Sequence, residues 1–153
     1  MSSLKAGEKA PEFTAKDQDG NTVSLSDFKD KTLVLYFYPQ DDTPTCTKEA
    51  CNFRDNYQSL LSKGLAVVGV SFDNEKKHQK FIKKYNLPFP LLADPDKKII
   101  EDYGVWGEKT LFGRGYMGTL RTTFIIDKKG VIAHIINKVD SGNASQQVLG
   151  LLQ

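Results

Sequence analysis

The sequence predicts an α/β fold, a central mixed β-sheet flanked by helices with a β-hairpin near the N-terminus. Three observations carry that expectation. Strand-like runs occur at 32–38 (TLVLYFY), 65–72 (LAVVGVSF), 122–127 (TTFIID) and 131–137 (VIAHIIN), each rich in β-branched and aromatic residues and bounded by turn formers. Helical stretches separate the early runs and follow the late ones. The first two runs are nearly all apolar, as strands covered on both faces are.

Taken in order, KDQDGNT (16–22) predicts the N-terminal hairpin. After the first long strand a helix is expected from about Pro44 to Lys63, ended by Gly64. Asp73 is the expected N-cap of the lysine-rich helix that follows. In ADPDKKIIEDYG, Asp94 reads as the next cap, Pro95 as the first helical position and Gly104 as the residue past the end. DKKG (127–130) joins the last two strands as a hairpin, and SGNASQQVLGLLQ supplies a short final helix. Residues 105–120, VWGEKTLFGRGYMGTL, read as a long glycine-rich loop. It is no phosphate cradle, because no Gly-Lys-Ser/Thr follows. This order of elements fits a mixed sheet sandwiched by helices.

At 153 residues the chain suits one domain with its own core. Its net charge of +2 gives no reason to expect nucleic acid or an anionic membrane. The lysines of KKHQKFIKK (76–84) are interrupted by Phe81 and Ile82 at helical spacing, which describes a solvated helix face. No apolar run approaches the roughly 20 residues of a membrane span. MSSLKAGEKAPEF lacks the apolar stretch of a secretory signal, so a cytoplasmic location is expected, with a mature organellar form as the alternative. Without a signal, Asn143-Ala144-Ser145 reads as a chance glycosylation match.

The chemistry centres on TPTCTKEAC (43–51), which holds both cysteines. Thr43 suits a cap and Pro44 the first turn, which sets Cys46 among free backbone N–H groups at the positive end of a helix. Both features favour the nucleophilic thiolate. The position just after a buried strand puts the thiol at the carboxyl edge of the sheet, where open α/β sheets bind ligands. The alternative is a buried structural cysteine behind an ordinary cap. Five residues of intact helix separate Cys46 and Cys51 by roughly 8–9 Å between Cα atoms and about 140° around the axis. A disulfide needs less than about 7 Å. A standing disulfide is therefore excluded while the helix persists. Two cysteines and two distant histidines do not make a zinc site either. What remains is a transient bond formed when the helix unwinds. It requires that Cys46 first become an electrophile, as a sulfenic acid is.

YPQDDTPTC carries Pro39, Thr43 and Cys46 in the Pro-x-x-x-Thr-x-x-Cys pattern, and LRTTFIID (120–127) carries Arg121. With the context YFYP…CTKEACNFRD, the chain resembles the peroxiredoxins along almost its whole length. Within them it is similar to the bacterioferritin comigratory protein, or peroxiredoxin Q, subgroup. Thr45 departs from it, since close relatives often carry glycine there. The resemblance implies a thioredoxin-like fold and a peroxidase needing no metal, haem or flavin. Cys46 would be the peroxidatic cysteine and Cys51 the resolving one, joined in an intramolecular Cys46–Cys51 disulfide during turnover. Thr43 would hydrogen-bond the thiolate or the peroxide, Arg121 would supply a fixed cation, and Pro39 would shield the sulfur. The implied partners are a peroxide and a thioredoxin or glutaredoxin as reductant, and the implied state is a monomer.

Plainer readings stand beside these roles. Arg121 is otherwise a surface arginine at a strand start. Glu49 either orients the arginine or stabilises the first helical turn. Trp106 and Tyr38 read as packing residues, although Trp106 is also a candidate for the substrate pocket. The apolar TLF and YM of the long loop either line a pocket for organic peroxides or pack. Two other functions compete: a thiol–disulfide oxidoreductase, which lacks its Cys-x-x-Cys here, and a redox sensor that signals through the same disulfide. A cysteine phosphatase is set aside, because Arg54 lies too far beyond Cys46 to close a short loop.

Overall fold

A computed structural model describes residues 2–152. Its elements are β1 (Thr14–Lys16), β2 (Thr22–Ser24), β3 (Thr32–Phe37), α1 (Pro44–Asp55), α2 (Tyr57–Ser62), β4 (Leu65–Ser71), α3 (Glu75–Tyr85), β5 (Leu91–Ala93), α4 (Lys98–Asp102), β6 (Trp106–Leu111), β7 (Arg114–Thr119), β8 (Thr122–Ile126), β9 (Ile132–Ile136) and α5 (Ala144–Leu151). Seven strands form one sheet in the order β2-β1-β5-β4-β3-β8-β9. β3, β4 and β5 run parallel, and β8 joins β3 antiparallel, so the sheet is mixed as expected.

Alternation along each strand sends successive side chains to opposite faces. On one face Leu33, Leu35, Phe37, Val68, Val70, Phe124 and Ile126 pack with Ile99 and Ile100 of α4 and with Tyr103. On the other, Val34, Tyr36, Val67, Leu91 and Ile125 pack beneath α1, α2, α3 and α5, and Cys46 belongs to this second layer. Gly69, opposite Tyr36 on β4, is needed there. A Cβ would lie 2.7 Å from a Leu91 methyl and 2.9 Å from the Tyr36 ring.

Several expectations need correction. Residues 105–120 are not a loop: Trp106–Leu111 and Arg114–Thr119 pair as a separate antiparallel hairpin, turning through Phe112 and Gly113, both at positive φ. Leu111, Phe112, Tyr116 and Met117 are exposed on it, so they do not pack in the core. The helix expected to run to Lys63 breaks at Asn56, whose φ of −110° and ψ of 10° are not helical. The cap of α3 is Asn74, whose side chain accepts from Lys77 N. Asp73 is turned instead toward Ser71 and Asp41. α4 begins three residues later than expected, although the Asp94 carboxylate still accepts from the N–H groups of Ile99 and Ile100. β5 was not anticipated. Three residues, LLA, are too few to display a period.

Candidate active site

The register of the sheet brings the pieces together. Phe37, the last residue of β3, pairs with Thr122, the first of β8, so Arg121 stands just beyond the carboxyl end of β3, where the chain turns into α1. Thr43 is the N-cap residue in extended conformation and Pro44 the first helical residue. Cys46 therefore lies in the first turn and is 1% exposed. The Thr43 hydroxyl donates to the Gln40 carbonyl at 3.1 Å and does not cap α1, contrary to the capping expectation. The first-turn N–H groups thus have no side-chain cap, and they stand at the positive end of the helix dipole beside the sulfur.

Arg121 Nη2 donates to Cys46 Sγ at 3.2 Å, and Nη1 donates to Glu49 Oε1 at 2.7 Å. One guanidinium thus spans two acidic groups a helical turn apart. Burial alone would weaken its charge. Cys46 and then Glu49 outweigh burial and hold Arg121 above its ordinary value. Glu49 is fully buried, and burial pushes its carboxyl up from 4.5 to about 7 despite the opposing arginine. Its Oε2 has no hydrogen-bond partner among the described residues. Lys109, on β6, is the next cation. Burial and then Arg121 depress it, and Nζ donates to the Thr119 carbonyl at 3.0 Å. A cleft of about 420 Å³ opens on the outer side, lined by Lys109, Leu120, Arg121, Thr122, Asn137 and Lys138.

Cys51 is a second free thiol in the same helix, and it is half-buried. Burial raises its pKa, with Arg54 opposing. Pro39 is half-buried in the loop between β3 and α1. Trp106 is not gathered with Cys46. It packs against the first core layer, edge-on to Phe72 and 4.2 Å under Lys97 Nζ.

Residues that sequence reasoning missed hold the loop leading to Cys46. Asp41 accepts from Tyr38 OH at 2.6 Å and lies 2.6 Å from His78 Nδ1, while His78 Nε2 faces the Leu92 carbonyl at 2.9 Å. The ring thus has a partner at each nitrogen. Asp73 accepts from Asp41 N at 2.8 Å. Asp41, Asp73 and His78 are the only such group among the described residues close enough to hold an ion, but these atoms already have protein partners. Asp42, at φ 59°, is gripped by Lys84 Nζ at 2.7 Å and Tyr85 OH at 2.8 Å. A faint signal existed: His78 and Phe81, three residues apart, mark the apolar side of the lysine-rich helix. A histidine there needs a buried acceptor.

Comparison with known proteins points to one family. Residues 6–135 match the AhpC/TSA family. A putative peroxiredoxin bcp from Coxiella burnetii is 49% identical over 150 residues, covering 98% of this chain and 99% of its own length. Peroxiredoxin Bcp from Escherichia coli K12 is 42% identical over 153 residues, covering 100% and 98%. Among solved structures, a cysteine-to-serine mutant of Xylella fastidiosa PrxQ superposes with a TM-score of 0.92 at 29% identity, covering 99% of this chain and 97% of that one. No described helix is long and apolar enough to cross a membrane. A thiol at a helix N-terminus beside a half-buried arginine, on a thioredoxin-like sheet shared end to end with these relatives, places the chain in the AhpC/TSA family, among the peroxiredoxins of the Bcp and Q type, which are thiol peroxidases.

Proposed function

We propose that this single-domain chain is a two-cysteine peroxidase that reduces hydrogen peroxide and organic hydroperoxides through Cys46 and Cys51. The observation that carries the proposal is the Arg121 guanidinium, 3.2 Å from Cys46 Sγ in the first turn of α1. A fixed cation and the free N–H groups of the helix start favour the thiolate. They also stabilise charge developing on the departing oxygen, where preorganised donors act most strongly. Cys46 attacks the peroxide, its sulfur gains the S–O bond, the O–O bond breaks, and water or alcohol leaves. Pro39 shields the sulfur. The Thr43 hydroxyl reaches the peroxide by rotating away from Gln40, and Glu49 holds the guanidinium in place.

The sulfenic acid then needs Cys51. Burial disfavours the Cys51 thiolate in the folded helix. Unwinding α1 both exposes it and brings it within bonding range. Its sulfur displaces water from the sulfenic acid and closes the Cys46–Cys51 disulfide. A dithiol reductant of the thioredoxin or glutaredoxin kind reopens it by exchange. With both cysteines in one chain, the cycle runs in a cytoplasmic monomer. The activity on organic peroxides is supported by a relative, the bacterioferritin comigratory protein of Xanthomonas campestris, 28% identical, whose structures were solved to explain alkyl peroxide reduction.

Peroxide consumption with a thioredoxin system, and separately with a glutaredoxin system, tests this. Cys46→Ser abolishes consumption. Cys51→Ser permits one oxidation per chain, seen as trapped sulfenic acid by mass spectrometry, with no disulfide-based recycling. Near wild-type turnover by Cys46→Ser refutes the proposal.

A further inference from the structure

We infer that Glu49 is the proton store of the peroxidase step: it is protonated while Cys46 is a thiolate and gives up that proton as the sulfur becomes a neutral sulfenic acid. The inference rests on Cys46 being the attacking nucleophile. Its ground is a count of charges around Arg121, a half-buried cation whose side chain is 18% exposed. Arg121 Nη1 and Nη2 reach Glu49 Oε1 and Cys46 Sγ at 2.7 and 3.2 Å, and Glu49 is wholly buried. Among the described residues Glu49 has Arg121 as its only cationic partner and shares it with the sulfur, so its buried carboxyl is the group that stays protonated while the sulfur is ionised.

The groups facing Glu49 leave it no other counter-ion. Tyr36, on β3, is buried, and burial is the largest cause that pushes its hydroxyl well above its ordinary value, so it stays neutral. Lys109 Nζ donates to the Thr119 carbonyl; burial and then Arg121 depress its pKa while Cys46 opposes them, so this second cation serves the sulfur and not Glu49. The partnerless Oε2 is consistent with that state, because an unpaired buried oxygen costs more when it carries charge than when it is neutral. Burial and the arginine together leave Glu49 near 7, and a neighbouring thiolate raises it further.

The step then needs no net proton from bulk solvent. The thiolate and ROOH give the sulfenic acid and RO⁻ as the S–O bond forms and the O–O bond breaks, with two electrons passing from sulfur to peroxide. RO⁻ gains one proton and Glu49 loses one, so the site keeps its net charge. Arg121 passes from pairing with the thiolate to pairing with the carboxylate. Glu49 acts through Arg121 as a positioning residue whose ionisation tracks the state of the sulfur.

The test uses the full chain carrying Cys51→Ser, which stops the cycle after one oxidation. It compares Glu49 with Glu49→Gln, which keeps the volume and an acceptor for Arg121. One equivalent of hydrogen peroxide is mixed in weakly buffered solution at about half a pH unit above 7, and a dye reports proton uptake. The chain with Glu49 takes up well under half a proton per sulfenic acid formed, and the Gln variant takes up about one. Difference infrared spectra show a protonated-carboxyl band lost on oxidation only when Glu49 is present. Equal proton uptake in the two proteins, or no change in the carboxyl band, overturns the inference. Mass spectrometry separates that failure from failure of the proposed function, which instead shows as no oxidation of Cys46.

Discussion

Replacing Glu49 by Gln is expected to flatten the pH dependence of stability. The folded protein lifts the Glu49 carboxyl from 4.5 to about 7, chiefly by burial. Between those values the folded state holds a proton that the unfolded chain has released, so stability falls as pH rises across the window. The full difference, about 2.5 pH units at about 1.36 kcal/mol each, is about 3 kcal/mol. Below 4.5 the carboxyl is neutral in both states and contributes no slope. Gln cannot ionise, so its protein lacks the loss altogether. The comparison belongs in a Cys46→Ser background, which removes the titrating thiol from the site. Urea unfolding of the two proteins between about pH 4 and 8 gives the difference directly, provided their m-values agree. Relative to the Glu49 protein, Glu49→Gln gains about 3 kcal/mol on going from pH 4 to 8, whatever constant offset the altered Arg121 contact introduces. Parallel curves across that range would refute the reasoning.

Other parts of the site yield separate expectations. Arg121→Ala lowers kcat/KM for hydrogen peroxide by about 10²–10³, the usual loss when a preorganised donor to a charged transition state is removed. A loss below about tenfold in steady-state assays takes Arg121 out of the step. His78→Ala leaves Asp41 Oδ2 buried without its hydrogen-bond partner while Tyr38 still donates to Oδ1, and costs about 1–3 kcal/mol of stability, measured by denaturant unfolding. Replacing both residues by apolar ones recovers part of that cost, and an additive double variant argues against the pair. Amide exchange across residues 44–55 is faster in the oxidised protein than in the reduced one, with β3 and β8 unchanged. Equal protection in both states contradicts unwinding of α1.

The parts legible in the sequence were those with strong local signals. Long apolar runs marked β3 and β4, Thr43-Pro44 marked the start of α1, and the motif around Cys46 pointed to the candidate site. The hairpin at 106–119 was hidden because its strands carry glycines, Gly107, Gly115 and Gly118, and its apolar residues other than Trp106 face solvent rather than a core, so neither composition nor alternation announced strands. The bond from Arg121 to Cys46 spans 75 residues and depends on β8 pairing with β3 in one register, which no local pattern encodes. The resemblance located both residues, but the 2.7 Å contact to Glu49 and its burial needed the fold. Thr43 shows the opposite case: a residue suited to capping whose hydroxyl finds a nearer acceptor in the Gln40 carbonyl.

The proposed cycle asks α1 to unwind, and the fold limits how far that spreads. Asn56 already breaks the helix, so α2, anchored by buried Leu60, need not melt with it. Upstream, Asp41 on His78 and Asp42 on Lys84 and Tyr85 fasten the loop before Cys46 to α3, independently of α1's own hydrogen bonds. Between these fixed points, the buried apolar anchors of α1 are Cys46, Ala50 and Phe53. Its polar anchors at the far end are Asn52, which donates to the Gly142 carbonyl at 2.8 Å and accepts from Ser145 N at 2.8 Å, and Arg54, which donates to the Tyr85 carbonyl at 2.8 Å. Asn52 immediately follows Cys51, so moving Cys51 toward Cys46 pulls directly on the contact with α5. The cost of forming the disulfide therefore falls on a few hydrogen bonds and one helix, while the sheet that positions Arg121 stays in place for the next turnover.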